Sequence, residues 1–281
     1  MEREEELGEF LRSRRARVTP AEAGLGPGDG VRRVPGLRRE EVARLAGVNV
    51  DYYVRMERGR RGNPSDSVLD AVARALRLNA TERAHLFALA RPGSARPARR
   101  SVPPQRVRPS VHRILEAHEP FPAMVLGRRM DVLAANRAAR ALYTDWEALP
   151  GPARNMLRFL FTDPAAREVM VDWPTGAAQA VAHLRLYAGR HPGDPLLAEL
   201  VADLSAADGD FRAWWGGHDV HQHTFGAKAF RHPVAGEFTL AYELLGVLDD
   251  ADQFLTLYTA EPGTDGAAAV LRLGAASFVD G

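Results

Sequence analysis

The sequence predicts a multidomain protein, an all-α domain over residues 1–90 followed by an α+β domain over residues 111–281. Three observations predict it. Apolar residues ahead of residue 90 recur only at helical 3-4 spacing. Residues 91–110, "RPGSARPARRSVPPQRVRPS", hold six arginines, five prolines and no acid, a composition that cannot bury a core and reads as a basic linker. Beyond it, period-two alternation appears beside helical stretches. At 281 residues the chain is long enough for two separate cores.

In order along the first domain, Leu7, Phe10 and Leu11 line one side of an opening helix. "VTPAEAGLGPGDGVRRVPG" is too rich in Gly and Pro for regular structure and reads as a loop. Leu37, Val42 and Leu45 mark a second helix, and Val68, Leu69, Val72 and Leu76 a fourth. The last begins at "NATE", where Asn79 caps, Glu82 reaches back, and Leu86, Phe87 and Leu89 turn inward. In the second domain, "FPAMVLGRRMDVLAANRAARALY" reads as two short strands around the turn at Gly127, Arg128 and Arg129, then a helix capped near Asn136. Residues 153–215 return to helical periodicity. "TFGAKAFRH", "EFTLAYELLGV" and "FLTLYTA" supply three more strands; in the second, Phe238, Leu240, Tyr242 and Leu244 share one face.

Charge separates the halves. The chain is +1 overall, but residues 1–110 hold 23 Arg and 14 Asp and Glu, giving +9, which leaves 14 basic and 22 acidic residues and −8 for the rest. A basic half joined to an acidic one is expected where one domain meets a polyanion. The absence of cysteine excludes disulfides, thiolate zinc sites and a cysteine nucleophile, and fits a reducing cytoplasm. No stretch approaches the roughly 18 apolar residues of a membrane span, and the acidic start "MEREEELGEF" is not a signal peptide. The expectation is a cytoplasmic, nucleoid-associated protein with no membrane partner.

The third helix completes a specific pattern. In "REEVARLAGVNVDYYVRMERGR", Val42, Leu45 and Ala46 are expected to face inward, Gly47 permits a tight turn and Asn49 caps the next helix. Ala43 is small where two helices cross, and Val48, Tyr53 and Met56 are apolar where the second must pack. This is the helix-turn-helix template, whose second helix enters the major groove of double-stranded DNA. Its outward side assigns Val50, Asp51 and Arg55 to base contacts: a thymine methyl, a cytosine amino group and a guanine edge. Tyr52, Arg58, Arg60 and Arg61 are assigned to phosphates.

"LRREEVARLAGVNVDYYVRMERGR" with "NPSDSVLDAVARALRLNATERAHLFALA" resembles the helix-turn-helix half of bacterial MmyB-like regulators of the XRE superfamily. "WWGGHDVHQHTFGAKAFRHPVAGEFTLAYELLGVLDDADQFLTLYTAEPG" resembles their ligand-binding half. The resemblance implies a lambda-repressor-like DNA-binding domain, a PAS-like effector domain, a homodimer, and a transcription regulator whose effector is fatty-acid-like or another small hydrophobic molecule. Asn49 stands where serine is usual and Met56 where leucine is, which preserves cap and core chemistry; Thr264 and Asp265 replace a serine-rich turn.

Other constellations are weaker. "HDVHQH" places His218, His221 and His223 beside Asp219, but no HExxH frame accompanies them, so a structural or pocket-lining role is preferred to a metal site. Lys228 and His232 are polar groups on a strand of the effector domain, and Phe159, Trp215, His218 and Tyr242 join them as candidate ligand contacts. Trp146, Trp173 and Trp214 are other aromatics that either line a pocket or fill a core. No GxSxG, Walker or GxGxxG motif is present, and no cofactor, metal or catalytic residue is assigned. Two alternatives stay open for the second half: a ligand-free dimerisation module, and a metal-dependent hydrolase at the histidine cluster.

Overall fold

A computed structural model describes residues 2–25, 36–59, 64–90, 104–191, 193–218, 224–248, 250 and 252–276. These pack as two compact units. The first is 1–100 with 185–194 and 214–221; the second is 101–184, 195–213 and 222–281. The units are therefore interleaved in sequence, whereas the composition of the chain suggests a single cut at the basic linker.

The first unit is built on five helices: α1 (Glu2–Arg17), α2 (Arg39–Ala46), α3 (Val50–Glu57), α4 (Asp66–Ala75) and α5 (Ala80–Ala90). Each starts or stops where its local chemistry dictates. Gly47 ends α2 at φ 65°, a left-handed conformation that costs a glycine nothing. Asn49 caps α3 through the Asp51 amide, and Ser65 caps α4. Asn79 and Glu82 exchange bonds of 2.9 and 3.0 Å, the expected reciprocal cap of α5. Leu7, Phe10, Leu11, Leu37, Val42, Tyr53, Leu69, Val72 and Leu86 fill one core. Leu45 differs from expectation, being 37 % exposed. Val42, Ala43 and Ala46 define the buried arc of α2, and at 100° per residue Leu45 falls roughly 100° from its centre. Leu37 is buried but precedes the helix.

The second unit follows the expected order of strands. It opens with α6 (Pro109–Ala117), then β1 (Ala123–Leu126), β2 (Val132–Ala135) and α7 (Arg137–Leu142). Four helices come next: α8 (Met156–Thr162), α9 (Pro164–Val169), α10 (Trp173–Arg190) and α11 (Pro195–Ala207). Then come α12 (Gly209–Gly216), β3 (Phe225–His232), β4 (Gly236–Gly246), β5 (Phe254–Thr259) and α13 (Asp265–Ala276); residues 185–190 of α10 and 214–216 of α12 belong to the first unit. The strands form one antiparallel sheet in the order β2-β1-β5-β4-β3, the core of the expected α+β domain.

One face of the sheet packs Ala123, Val125 and Leu255 against Val111 and Leu115 of α6. The helices α6 and α13 have no counterpart in the periodicity reading. The turn at Thr264 resolves as a helix start, with the Thr264 hydroxyl accepting from the Ala267 amide. Residues 104–108, placed in the linker by composition, are anchored within the second unit. Gln105 accepts from the Arg128 amide at 2.7 Å, the Arg106 carbonyl accepts from Gln253, and Arg108 meets Asp250 at 2.6 Å. Partners distant in sequence, one of them the acid Asp250, thus hold a segment that has no acid of its own. Residues 91–103 lie outside the described residues.

Asn136 joins four parts of this unit. Its carboxamide oxygen accepts from the Ala123 and Ala139 amides at 2.9 and 3.0 Å, and its nitrogen donates to the Leu115 and Phe121 carbonyls. Being buried, each of these groups loses water as an alternative partner. Asn136→Ala is expected to lower stability by roughly 3 kcal/mol in a urea titration of the full chain, whereas loss of the helix cap alone would cost about 1 kcal/mol.

Candidate nucleic-acid interface and effector-binding face

Helix α3 divides by burial. Tyr53, Met56 and Glu57 are buried, while Val50, Asp51, Arg55 and Arg58 are exposed and Tyr52 is half-buried. Arg44, Arg55 and Arg58 are exposed and have no side-chain partner among the described residues. Arg60 and Arg61 lie outside the described residues.

A buried carboxylate holds the helix in place. Both oxygens of Glu57 accept from Arg15 of α1, at 2.8 and 2.9 Å, and one also accepts from Arg39 of α2 at 2.9 Å. Arg15 donates further to the Leu37 carbonyl at 2.8 Å. Burial by itself would raise the Glu57 carboxyl, but the Arg15 hydrogen bonds and the charges of Arg15 and Arg39 outweigh it and hold it below its ordinary value. Arg15 is held above its own by the same bond. This clamp escaped the periodicity reading. Its signal was an acid in the last turn of a helix, where the dipole disfavours negative charge.

In the second unit, the other face of the sheet is aromatic. Tyr143 packs against Phe159, Phe230 and Tyr258 at centroid distances of 5.8, 5.9 and 6.3 Å, and Trp146 against Phe159 at 5.5 Å. The Tyr143 and Tyr258 hydroxyls share a 2.5 Å hydrogen bond, and burial pushes Tyr143 well above the usual phenol range. The β3–β4 register sets Gly226 opposite Tyr242, Lys228 opposite Leu240 and Phe230 opposite Phe238. Lys228, half-buried, lies 4.8 Å over the Tyr242 ring and has no carboxylate partner among the described residues. His232, at the end of the same strand face, is held below the usual imidazole value by burial, against the pull of the Ala141 carbonyl.

Of the proposed ligand contacts, Phe159, Lys228, Tyr242 and His232 therefore belong to this one face. Trp215 and His218 do not: both belong to the first unit, where Arg185 lies 3.9 Å over the Trp215 ring and meets His218 at 3.0 Å. Trp146 and Trp173 are buried, and Trp173 donates to the Leu160 carbonyl at 2.9 Å. No group of three or more His, Cys, Asp or Glu able to hold a metal occurs among the described residues; Asp219, His221 and His223 lie outside them. No helix among those residues is long and apolar enough to cross a membrane.

A helix-turn-helix unit in the same chain as an effector-binding domain defines a DNA-binding transcription regulator. The model of the helix-turn-helix domain matches residues 6–86, and that of the MmyB-like transcription regulator ligand binding domain matches residues 107–273. The second match covers more than half of the chain, which belongs to the MmyB-like transcription regulators. No curated protein matches it.

The clamp makes a prediction. Because the folded value of Glu57 lies below 4.5, its stabilisation is fully present above that pH and lost as pH falls through the lower folded value. Glu57→Gln leaves two guanidinium groups facing a neutral amide. It should cost about 2–3 kcal/mol near neutral pH, with the gap to wild type closing on acidification, as read by urea titrations at a series of pH values.

Proposed function

We propose that the chain binds double-stranded DNA as a homodimer through α3 and that a small hydrophobic effector, held on the aromatic face of the second unit, adjusts that binding. The observation that carries the reading is the division of α3 into a buried side clamped at Glu57 and an exposed side bearing Val50, Asp51, Arg55 and Arg58. In this reading the exposed side enters the major groove: Val50 against a thymine methyl, Asp51 accepting from a cytosine amino group, Arg55 bidentate on guanine. Tyr52, Arg58, Arg60 and Arg61 contact phosphates. Two such helices must sit about 34 Å apart to enter successive turns of the groove. An effector that favours one conformation of its domain alters that geometry and hence operator affinity.

For the effector, an apolar face carrying a cation without a carboxylate partner among the described residues suits a molecule with a hydrocarbon body and a single acidic end, a fatty acid being the simplest. Lys228 is the group for the acid, with Phe159 and Tyr242 against the body and His232 beside the acid end.

Two measurements test the two halves. With duplexes selected from a random pool, Arg55→Ala should lower discrimination against scrambled DNA by about 1–3 kcal/mol, while Arg58→Ala should weaken both duplexes alike and reduce the salt slope by about one. Equal loss on both duplexes for Arg55→Ala would remove it from base readout. Native mass spectrometry with added long-chain fatty acid should show one bound per chain, and Lys228→Met should weaken that binding about tenfold while leaving the corresponding alcohol unaffected.

A further inference from the structure

Helix α1 is held from two sides. On one, Gly8 lies so close to α3 that a Cβ there would come within 2.5 Å of the Glu57 carbonyl oxygen, and Arg15 clamps the Glu57 side chain. On the other, Glu6, Glu9 and Arg14 meet Arg185 and His218, which lie in the segments 185–194 and 214–218. Both segments belong to the same compact unit as α1, yet lie inside the stretch matched by the ligand-binding-domain model.

The contacts on that second side are specific. Arg185 is 2 % exposed; one of its terminal nitrogens lies 3.4 Å from the Glu6 carboxylate and 3.0 Å from Nδ1 of His218, and the other donates to the Trp215 carbonyl. Arg14 donates to the His218 carbonyl and lies 3.3 Å from Glu82. Nε2 of His218 is 3.0 Å from Glu9. A guanidinium only donates, so Nδ1 of His218 must accept; Nε2 then carries the proton and donates to Glu9. His218 is thereby fixed as one neutral tautomer. Nearby, His85 of α5 packs edge-on to Phe10 at 5.0 Å, and Gly189 approaches so closely that a Cβ would fall 2.5 Å from its ring.

We propose that Arg185 and His218 are positioning residues for DNA recognition: they fix α1, and α1 in turn fixes the recognition helix α3. The inference rests on the reading of α3 as the DNA-contacting helix. Packed helices shift as bodies, so a displacement of α1 at Glu6, Glu9 and Arg14 is carried to Gly8 and Arg15 one turn or less away.

The charged groups facing His218 are Glu9, Arg12 and Arg14 from α1 and Arg185 from α10, with His85 on α5. Burial, then the charges of Arg185, Arg14 and Arg12, lower His218 from 6.5 to about 3. Since the folded value is depressed, the neutral contact is fully favoured above pH 6.5 and weakens as pH falls below it.

The test uses the full chain and a duplex that it selects from a random pool. Arg185→Met removes the guanidinium that lies over Trp215 while keeping an unbranched side chain, and His218→Leu removes both ring hydrogen bonds. His218→Gln retains both, because its oxygen accepts and its nitrogen donates. Arg185→Met and His218→Leu should each bind the selected duplex about tenfold more weakly, with less than about threefold change on scrambled DNA, while His218→Gln stays within about twofold of wild type. Between about pH 6.5 and 5.5, wild type should lose up to about tenfold relative to His218→Gln. Wild-type binding by Arg185→Met and His218→Leu, or equal loss in His218→Gln and His218→Leu, would overturn the proposal. If the first two variants fail to fold, or if wild type selects no duplex and the reading of α3 falls, amide hydrogen exchange decides. Protection of α1 and α3 lost together on acidification in wild type but not in His218→Gln supports the coupling, and unchanged protection refutes it.

Discussion

The placement of α3 depends on the buried carboxylate of Glu57. One acid at the end of a short helix is bonded by Arg15 of α1 and Arg39 of α2, so the orientation of the exposed side is fixed by charge-assisted bonds as well as by packing. An eight-residue helix is too short to be stable alone, and its amphipathic face supplies little area. The clamp adds directionality that apolar contact lacks.

The second unit uses polar groups in the same manner. Asn136 ties β1, α6 and α7 together with four bonds, and Asn155 accepts from the amides of α8 while donating to Arg129 and Asp131. Each is a buried amide with its donors and acceptors matched, which specifies one arrangement of short elements that propensity alone would leave ambiguous. Lys228 stands out there as a cation that folding leaves without a counter-charge among the described residues.

His218 shows how the same residue reads differently at two levels. Beside His221 and His223 it has the spacing of a ligand cluster; in the fold its two ring nitrogens are taken by Arg185 and Glu9, so its chemistry is that of a neutral bridge. Trp215 likewise changes from a pocket aromatic to the platform for a buried guanidinium.

By itself the sequence determined the helix caps at Asn49, Asn79 and Asn136, the turn at Gly47, the five strands and the split of α3 into packed and exposed sides. These are local, set by periods of two or 3.6 residues and by side chains bonding their own backbone. Tertiary structure decided the rest: Leu45 turned outward, α6 and α13 laid on the sheet, residues 104–108 anchored by Asp250 and Gln253, and Trp215 and His218 placed among Arg14, Arg185 and Glu9. Charged side chains carry no periodic signal of their partners. Which acid meets which arginine, 42 residues apart for Glu57 and Arg15 or 179 for Arg185 and Glu6, is fixed only when the chain has closed on itself.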